Sequence, residues 1–213
     1  RKYLQVMTKP LAVRSSGLFE DSLNQPFAGV YSTYLLPNNH PDIERRLEDV
    51  ENAIKLVFAS IYSPESRAYF NAIDYMIEEE KMAVIIQEVI GNEHNGRYYP
   101  EISGVAQSYN FYPFSYIQPE DGFAVTAIGL GAYVVGEKTH RFSPAYPKLQ
   151  LASTQDKIKA SQRYFYGVNM LAQDYDLYRD GEKTGKTLPS KHTTSQKPSV
   201  TAHWNTPLPF TTS

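Results

Sequence analysis

Arg14 follows a short apolar run, Leu11-Ala12-Val13, and precedes Ser15-Ser16-Gly17. A guanidinium placed at the end of a buried strand is suited to hold phosphate. It is planar, charged at any working pH, and binds two oxygens at once. Serine hydroxyls and turn amides add donors around such an anion. Ser15 and Ser16 are therefore candidate phosphate ligands beside Arg14. The alternative is structural: Glu20 and Asp21 stand close enough in the chain to form a salt bridge with Arg14.

Other chemistries find little support. The five histidines are His40, His94, His140, His192 and His203, and none has His-Glu metal spacing. His40, just before Pro41, reads as a helix-start residue, and His94 as a loop residue. There is no Gly-x-Ser-x-Gly elbow and no Gly-x-x-x-x-Gly-Lys phosphate loop. Gly185-Lys186-Thr187 lacks the earlier glycine and a preceding apolar strand. Glu101, Glu120 and Asp121 read as solvated surface charges. No cysteine is present, which excludes disulfides and Cys-ligated zinc and is compatible with a reducing, cytoplasmic setting. Lys plus Arg is 21 and Asp plus Glu is 23, a balance that argues against nucleic-acid binding through a general basic surface. No apolar run reaches the length of a membrane span.

The elements that position these residues follow from periodicity. Residues 11–14 read as a buried strand entering a polar turn at Ser15-Ser16-Gly17, and 27–36 as a second strand. Ile43, Leu47, Val50, Ile54, Val57, Phe58 and Ile61 recur at helical spacing, with Pro41 suited to the first helical position. Ser63 is placed to cap a second helix running to about Ile77. Met82 to Ile86 is a continuous apolar run, as in a central strand buried on both faces. Gly91-Asn92 and Asn95-Gly96 are turn signals. Further strands are predicted near 102–109, 123–128 and 132–142, and a helix over 155–172. The whole is α+β, helices packed on a mixed sheet. Residues 1–186 read as one domain. In 187–213, 15 of 27 residues are Thr, Ser or Pro, so a disordered tail is expected. The chain starts Arg1-Lys2-Tyr3-Leu4, which reads as the interior of a longer polypeptide.

The stretch around Arg14 resembles the ATP-binding domain shared by phosphoenolpyruvate synthase and pyruvate phosphate dikinase. That family carries Val-Arg-Ser-Ser, Glu-Asp and Phe-Ala-Gly at the spacing of Val13 to Ser16, Glu20-Asp21 and Phe27-Ala28-Gly29. Nine residues thus match in order across 17 positions. Weaker likenesses follow: Arg67-Ala68, Met82 to Val89, and Ser103-Gly104-Val105. The resemblance implies an ATP-grasp-like fold, with Arg14 on the ATP phosphates and Gln87, Glu88 and Val89 forming an adenine hinge. The alternative for that hinge is a plain strand end. It further implies Mg²⁺, and a parent chain whose phosphohistidine and pyruvate-binding domains carry phosphate from ATP to pyruvate. The fragment alone is then inactive.

The departures are specific. Where the family has Gly-Leu-Gly-Glu, whose Glu helps hold Mg²⁺, this chain has Gly129-Leu130-Gly131-Ala132, and alanine cannot ligate a hard cation. Glu137 is the candidate substitute. The family's nucleotide-binding lysine precedes its Val-Arg-Ser-Ser, and Lys2 and Lys9 stand too close to Arg14 to match it. None of the histidines sits in a Gly-Gly-rich phosphocarrier segment. Two other readings therefore stand: a degenerate module that contacts nucleotide or a partner domain without catalysis, and a dikinase with another acceptor such as a glucan.

Overall fold

The structure is a computed structural model describing residues 1–20, 30–73, 76–131, 140–149, 153, 164–171, 175–180 and 208–209. Its described residues form two compact units, one within 1–89, 95–97 and 168–205, the other within 90–94, 98–167 and 206–213.

The first unit is built on β1 (Leu11–Gly17), flanked by β2 (Thr33–Leu36) and β3 (Met82–Glu88), both antiparallel to it. The expected strand at 11–14 thus runs three residues further. Ser15, Ser16 and Gly17 pair with Val84, Ala83 and Met82 and do not form a turn. The turn comes at Leu18 to Glu20. Local serine and glycine content favoured a turn, but pairing with β3 gives these backbone groups ladder partners.

Helix α1 (Lys2–Val6) precedes β1, and α2 (Ile43–Ala59) packs on the sheet. Leu11, Val13, Leu36, Ala53 and Val57 form the dry centre of this core. The α2 stripe is the one its 3.6-residue period dictates, except that Phe58 turns outward. Asp42 is the N-cap, its Oδ1 accepting from the Glu44 amide at 2.9 Å, so Pro41 lies one position before the cap and not within the helix. Arg46 ties the N-terminal segment to α2. It donates to Asn38 Oδ1 at 2.9 Å, to the Met7 carbonyl at 2.8 Å, and to the Leu4 carbonyl.

Helix α3 spans Pro64–Ile73, with Ser63 Oγ accepting from the Ser66 amide at 3.1 Å as expected of a cap. It does not reach Ile77. Met76 is extended, and Ile77–Glu79 is a separate 3₁₀ turn. Three successive carboxylates at a helix C-terminus oppose its dipole, which disfavours continuation.

Strand β3 is an edge strand, not the expected central one. Its only partner among the described residues is β1, and Ile86 is 39% exposed. The apolar run was compatible with either placement, because periodicity reports faces and not sheet order.

The second unit contains the meander β6 (Ile102–Gln107), β7 (Phe123–Ile128) and β8 (His140–Phe142). It follows the hairpin of β4 (Asn92–His94) and β5 (Arg97–Tyr99), whose turn places Asn95 and Gly96 at φ of 51° and 74°. Within 155–172, where a helix was expected, the described residues contain two short strands, Tyr164–Phe165 and Val168–Asn169. Aromatic and β-branched residues favour the extended backbone there. Residues 132–139 and most of 187–213 lie outside the described set. Leu208 and Pro209 pair with Phe165 and Tyr164. No helix among the described residues is long and apolar enough to cross a membrane.

Candidate functional site

A strand turns successive side chains to opposite faces, and residues paired across an antiparallel ladder share a face. Along β1, Leu11, Val13 and Ser15 face α2 and its core. Ala12, Arg14 and Ser16 face the other way. The register adds Thr33 from β2 and Ile85 and Gln87 from β3 to the Arg14 face. Arg14 and Gln87 are exposed there, and Ser16 is half-buried. Ser15, proposed beside Arg14 from the motif, is buried on the opposite face.

The guanidinium of Arg14 makes no ion pair or hydrogen bond among the described residues. Glu20, its nearest described carboxylate in the chain, is engaged elsewhere. Glu20 Oε1 accepts from Ser15 Oγ at 2.9 Å, and Oε2 from the Gly17 amide at 2.8 Å. Asp21 and Phe27-Ala28-Gly29 lie outside the described residues.

A second carboxylate completes the loop's support. Glu80 Oε1 accepts from the Leu18 amide at 2.7 Å, and its Oε2 accepts from the Tyr31 hydroxyl. Burial, reinforced by this bond to Glu80, pushes the Tyr31 hydroxyl far above the ordinary tyrosine range. Gly17 leaves room for the contact: a Cβ there would lie 3.0 Å from Glu80 Oε2 and 3.0 Å from the Tyr31 ring. Glu20 and Glu80 thus fasten the turn after Arg14 from two directions. Glu80 had no local signal to mark it. It stands 62 residues from Leu18, within a run of glutamates that reads as a helix end.

The hinge candidates divide. Gln87 is exposed and shares the Arg14 face. Glu88, half-buried on the other face, accepts from the Lys9 amide at 3.4 Å. Val89 is buried, and its amide donates to the Pro10 carbonyl at 2.8 Å. That amide is committed to the fold. The outer edge of β3 is unpaired among the described residues, so alternate backbone N–H and C=O groups of this strand point outward.

Among the described residues no three His, Cys, Asp or Glu side chains cluster as a metal site. Glu137 and Ala132 lie outside those residues. His40 Nδ1 accepts from the Asp42 amide at 3.1 Å, a helix-start role, and His94 stacks on Tyr99 with centroids 4.9 Å apart. Arg67 opens α3 on an exposed face.

The exposed strand face thus carries a guanidinium uncommitted among the described residues, and carboxylate contacts hold the turn that follows it. Comparison with known proteins gives the chain's class. The family described as pyruvate phosphate dikinase, AMP/ATP-binding domain, matches residues 1–195, and the chain belongs to that family. A phosphoenolpyruvate synthase from Aeropyrum pernix is 28% identical over 129 residues, covering 60% of this chain and 13% of that protein's length. The chain is therefore a nucleotide-binding domain of the dikinase family.

Proposed function

We propose that this chain is the ATP-binding part of a dikinase that phosphorylates one of its own histidines and then pyruvate, yielding phosphoenolpyruvate. The observation that carries the reading is the exposed Arg14 guanidinium, uncommitted among the described residues, within a domain of this family. Arg14 neutralises phosphate charge, and Ser16 and Gln87 stand on its face to contact the nucleotide. Ser15 acts through Glu20 by holding the loop. Glu88 offers backbone groups to the hinge at the free edge of β3, and Val89 fixes the strand end through its bond to Pro10. Phosphoryl transfer demands positioning and charge neutralisation more than covalent work from the protein.

The reading includes an ATP-grasp-like arrangement, a domain over 1–186, and a cytoplasmic setting. When bound, Mg²⁺ offsets phosphate charge, with Glu137 its proposed protein ligand. The phosphohistidine and pyruvate-binding domains belong to the parent chain, so the isolated chain binds ATP without turnover. Ala132 favours a second reading, a degenerate module that binds nucleotide without magnesium. Titration of ATP with and without Mg²⁺ tests the choice. Binding strengthened by Mg²⁺ supports the dikinase, and Mg²⁺-independent binding supports the degenerate module. No ATP binding under either condition overturns both nucleotide readings.

A further inference from the structure

The second unit holds a cavity of about 230 Å³ that the nucleotide reading does not use. Tyr112, Phe114, Phe123 and Phe142 line it. Tyr112 is 83% exposed and Phe114 62% exposed, so its mouth is aromatic and open. Its cation is Arg141. The guanidinium carbon lies 4.0 Å from the centroid of the Phe123 ring, and one nitrogen donates to Asn110 Oδ1 at 3.0 Å. Asn110 is itself buried and accepts a second bond from the Tyr112 amide at 3.1 Å. The fork is thus held by a stacking contact and a buried acceptor. No carboxylate pairs with it among the described residues. Ser143 lines the same cavity, is 3% exposed, and its hydroxyl has no hydrogen-bond partner among the described residues.

From this we infer that the cavity is a binding site for a small monocyclic aromatic carboxylate. One guanidinium matches one carboxylate charge, and its planar fork pairs with both oxygens. A dianionic phosphate would leave charge uncompensated between aromatic walls. The walls take a ring edge-on or offset. A volume at or below the low end of ordinary ligand sites matches one ring better than a nucleotide. Covering Tyr112 and Phe114 supplies the apolar gain.

Benzoate is the probe, titrated into the 213-residue chain with binding followed by calorimetry and by amide NMR shifts. Saturable binding is expected, with shifts at residues 110–112, 114 and 141–143. Benzamide lacks the charge and should bind about tenfold more weakly or worse. Cyclohexanecarboxylate lacks the π-face and should also bind more weakly. Arg141→Gln should weaken benzoate by about tenfold or more. Phe114→Ala, at an exposed wall, tests the same cavity without removing the Asn110 contact and should weaken it as well. Amide spectra of each variant establish that it is folded. Absence of saturation in the unaltered chain overturns the proposal. So does equal affinity for benzoate and benzamide, or equal affinity for benzoate and cyclohexanecarboxylate. If Arg141→Gln does not fold, retained benzoate affinity in Phe114→Ala overturns it.

Discussion

Ser15 donates its hydroxyl to Glu20 at 2.9 Å, and this bond turns the carboxylate of Glu20 toward the buried face of β1, away from Arg14. Neighbours in sequence therefore do opposite work. Ser15 secures the loop from inside, and Arg14 presents its charge outside. Salt bridging between Arg14 and Glu20, an equally natural expectation from spacing, does not occur.

That division separates two mutants. Arg14→Ala should leave the melting temperature within a degree or two, since exposed substitutions of this kind usually change stability by less than about 0.5 kcal/mol. ATP affinity should fall by about 1.5–3 kcal/mol, the range for a hydrogen bond to a charged group. Arg14→Lys should recover part of it, because an ammonium lacks the bidentate fork. Glu20→Ala should show mainly the opposite pattern, an early melt through loss of acceptors for Ser15 and Gly17. Melting curves and ATP titrations on both variants check this. An Arg14→Ala protein that melts early yet binds ATP normally would refute the clamp.

Tyr31 predicts a pH dependence. Its folded-state pKa is raised, first by burial and then by the bond to Glu80, so folding favours the neutral phenol. Such a group contributes its full stability below the unfolded tyrosine pKa of about 10 and loses it progressively as pH rises above that value. Tyr175, also raised by burial and by Asp49, adds in the same direction. Unfolding free energy should therefore fall between about pH 9 and 11 by denaturant titration, and less steeply in Tyr31→Phe. An unchanged slope in that variant would count against the assignment.

Gly104 lies within the Ser103-Gly104-Val105 stretch of β6. A Cβ there would approach the Val125 carbonyl oxygen to 2.6 Å. That oxygen is backbone and cannot swing aside, so Gly104→Ala should destabilise by about 1–3 kcal/mol, as overpacking does. Thermal unfolding measures it. A melt within a degree of the unaltered chain would show that β6 and β7 can separate without cost.

Ending the chain at Gly185 removes the pairing of Leu208 and Pro209 with Phe165 and Tyr164. Two paired residues form a marginal contact, and a segment with 15 Thr, Ser or Pro among 27 residues is expected to bury little apolar area. The melting temperature should stay nearly constant. A drop of many degrees would show a packed tail.

Local signals by themselves determined the α2 stripe, the apolar start of β1, the Asn95-Gly96 turn, and the strands over β6 and β7. They also carried the Val13-Arg14-Ser15-Ser16 motif, hence the family. These features are set by residues a few positions apart, where side-chain period and turn chemistry act directly. Tertiary structure alone decided the rest. It extended β1 through Ser15, Ser16 and Gly17, because β3, some seventy residues on, supplies their ladder. It put β3 at an edge, and it brought Glu80 to Leu18 and Tyr31. Such contacts join segments far apart in the chain. Which segments meet depends on loop closure and on burial of the whole core, and no local period encodes that choice.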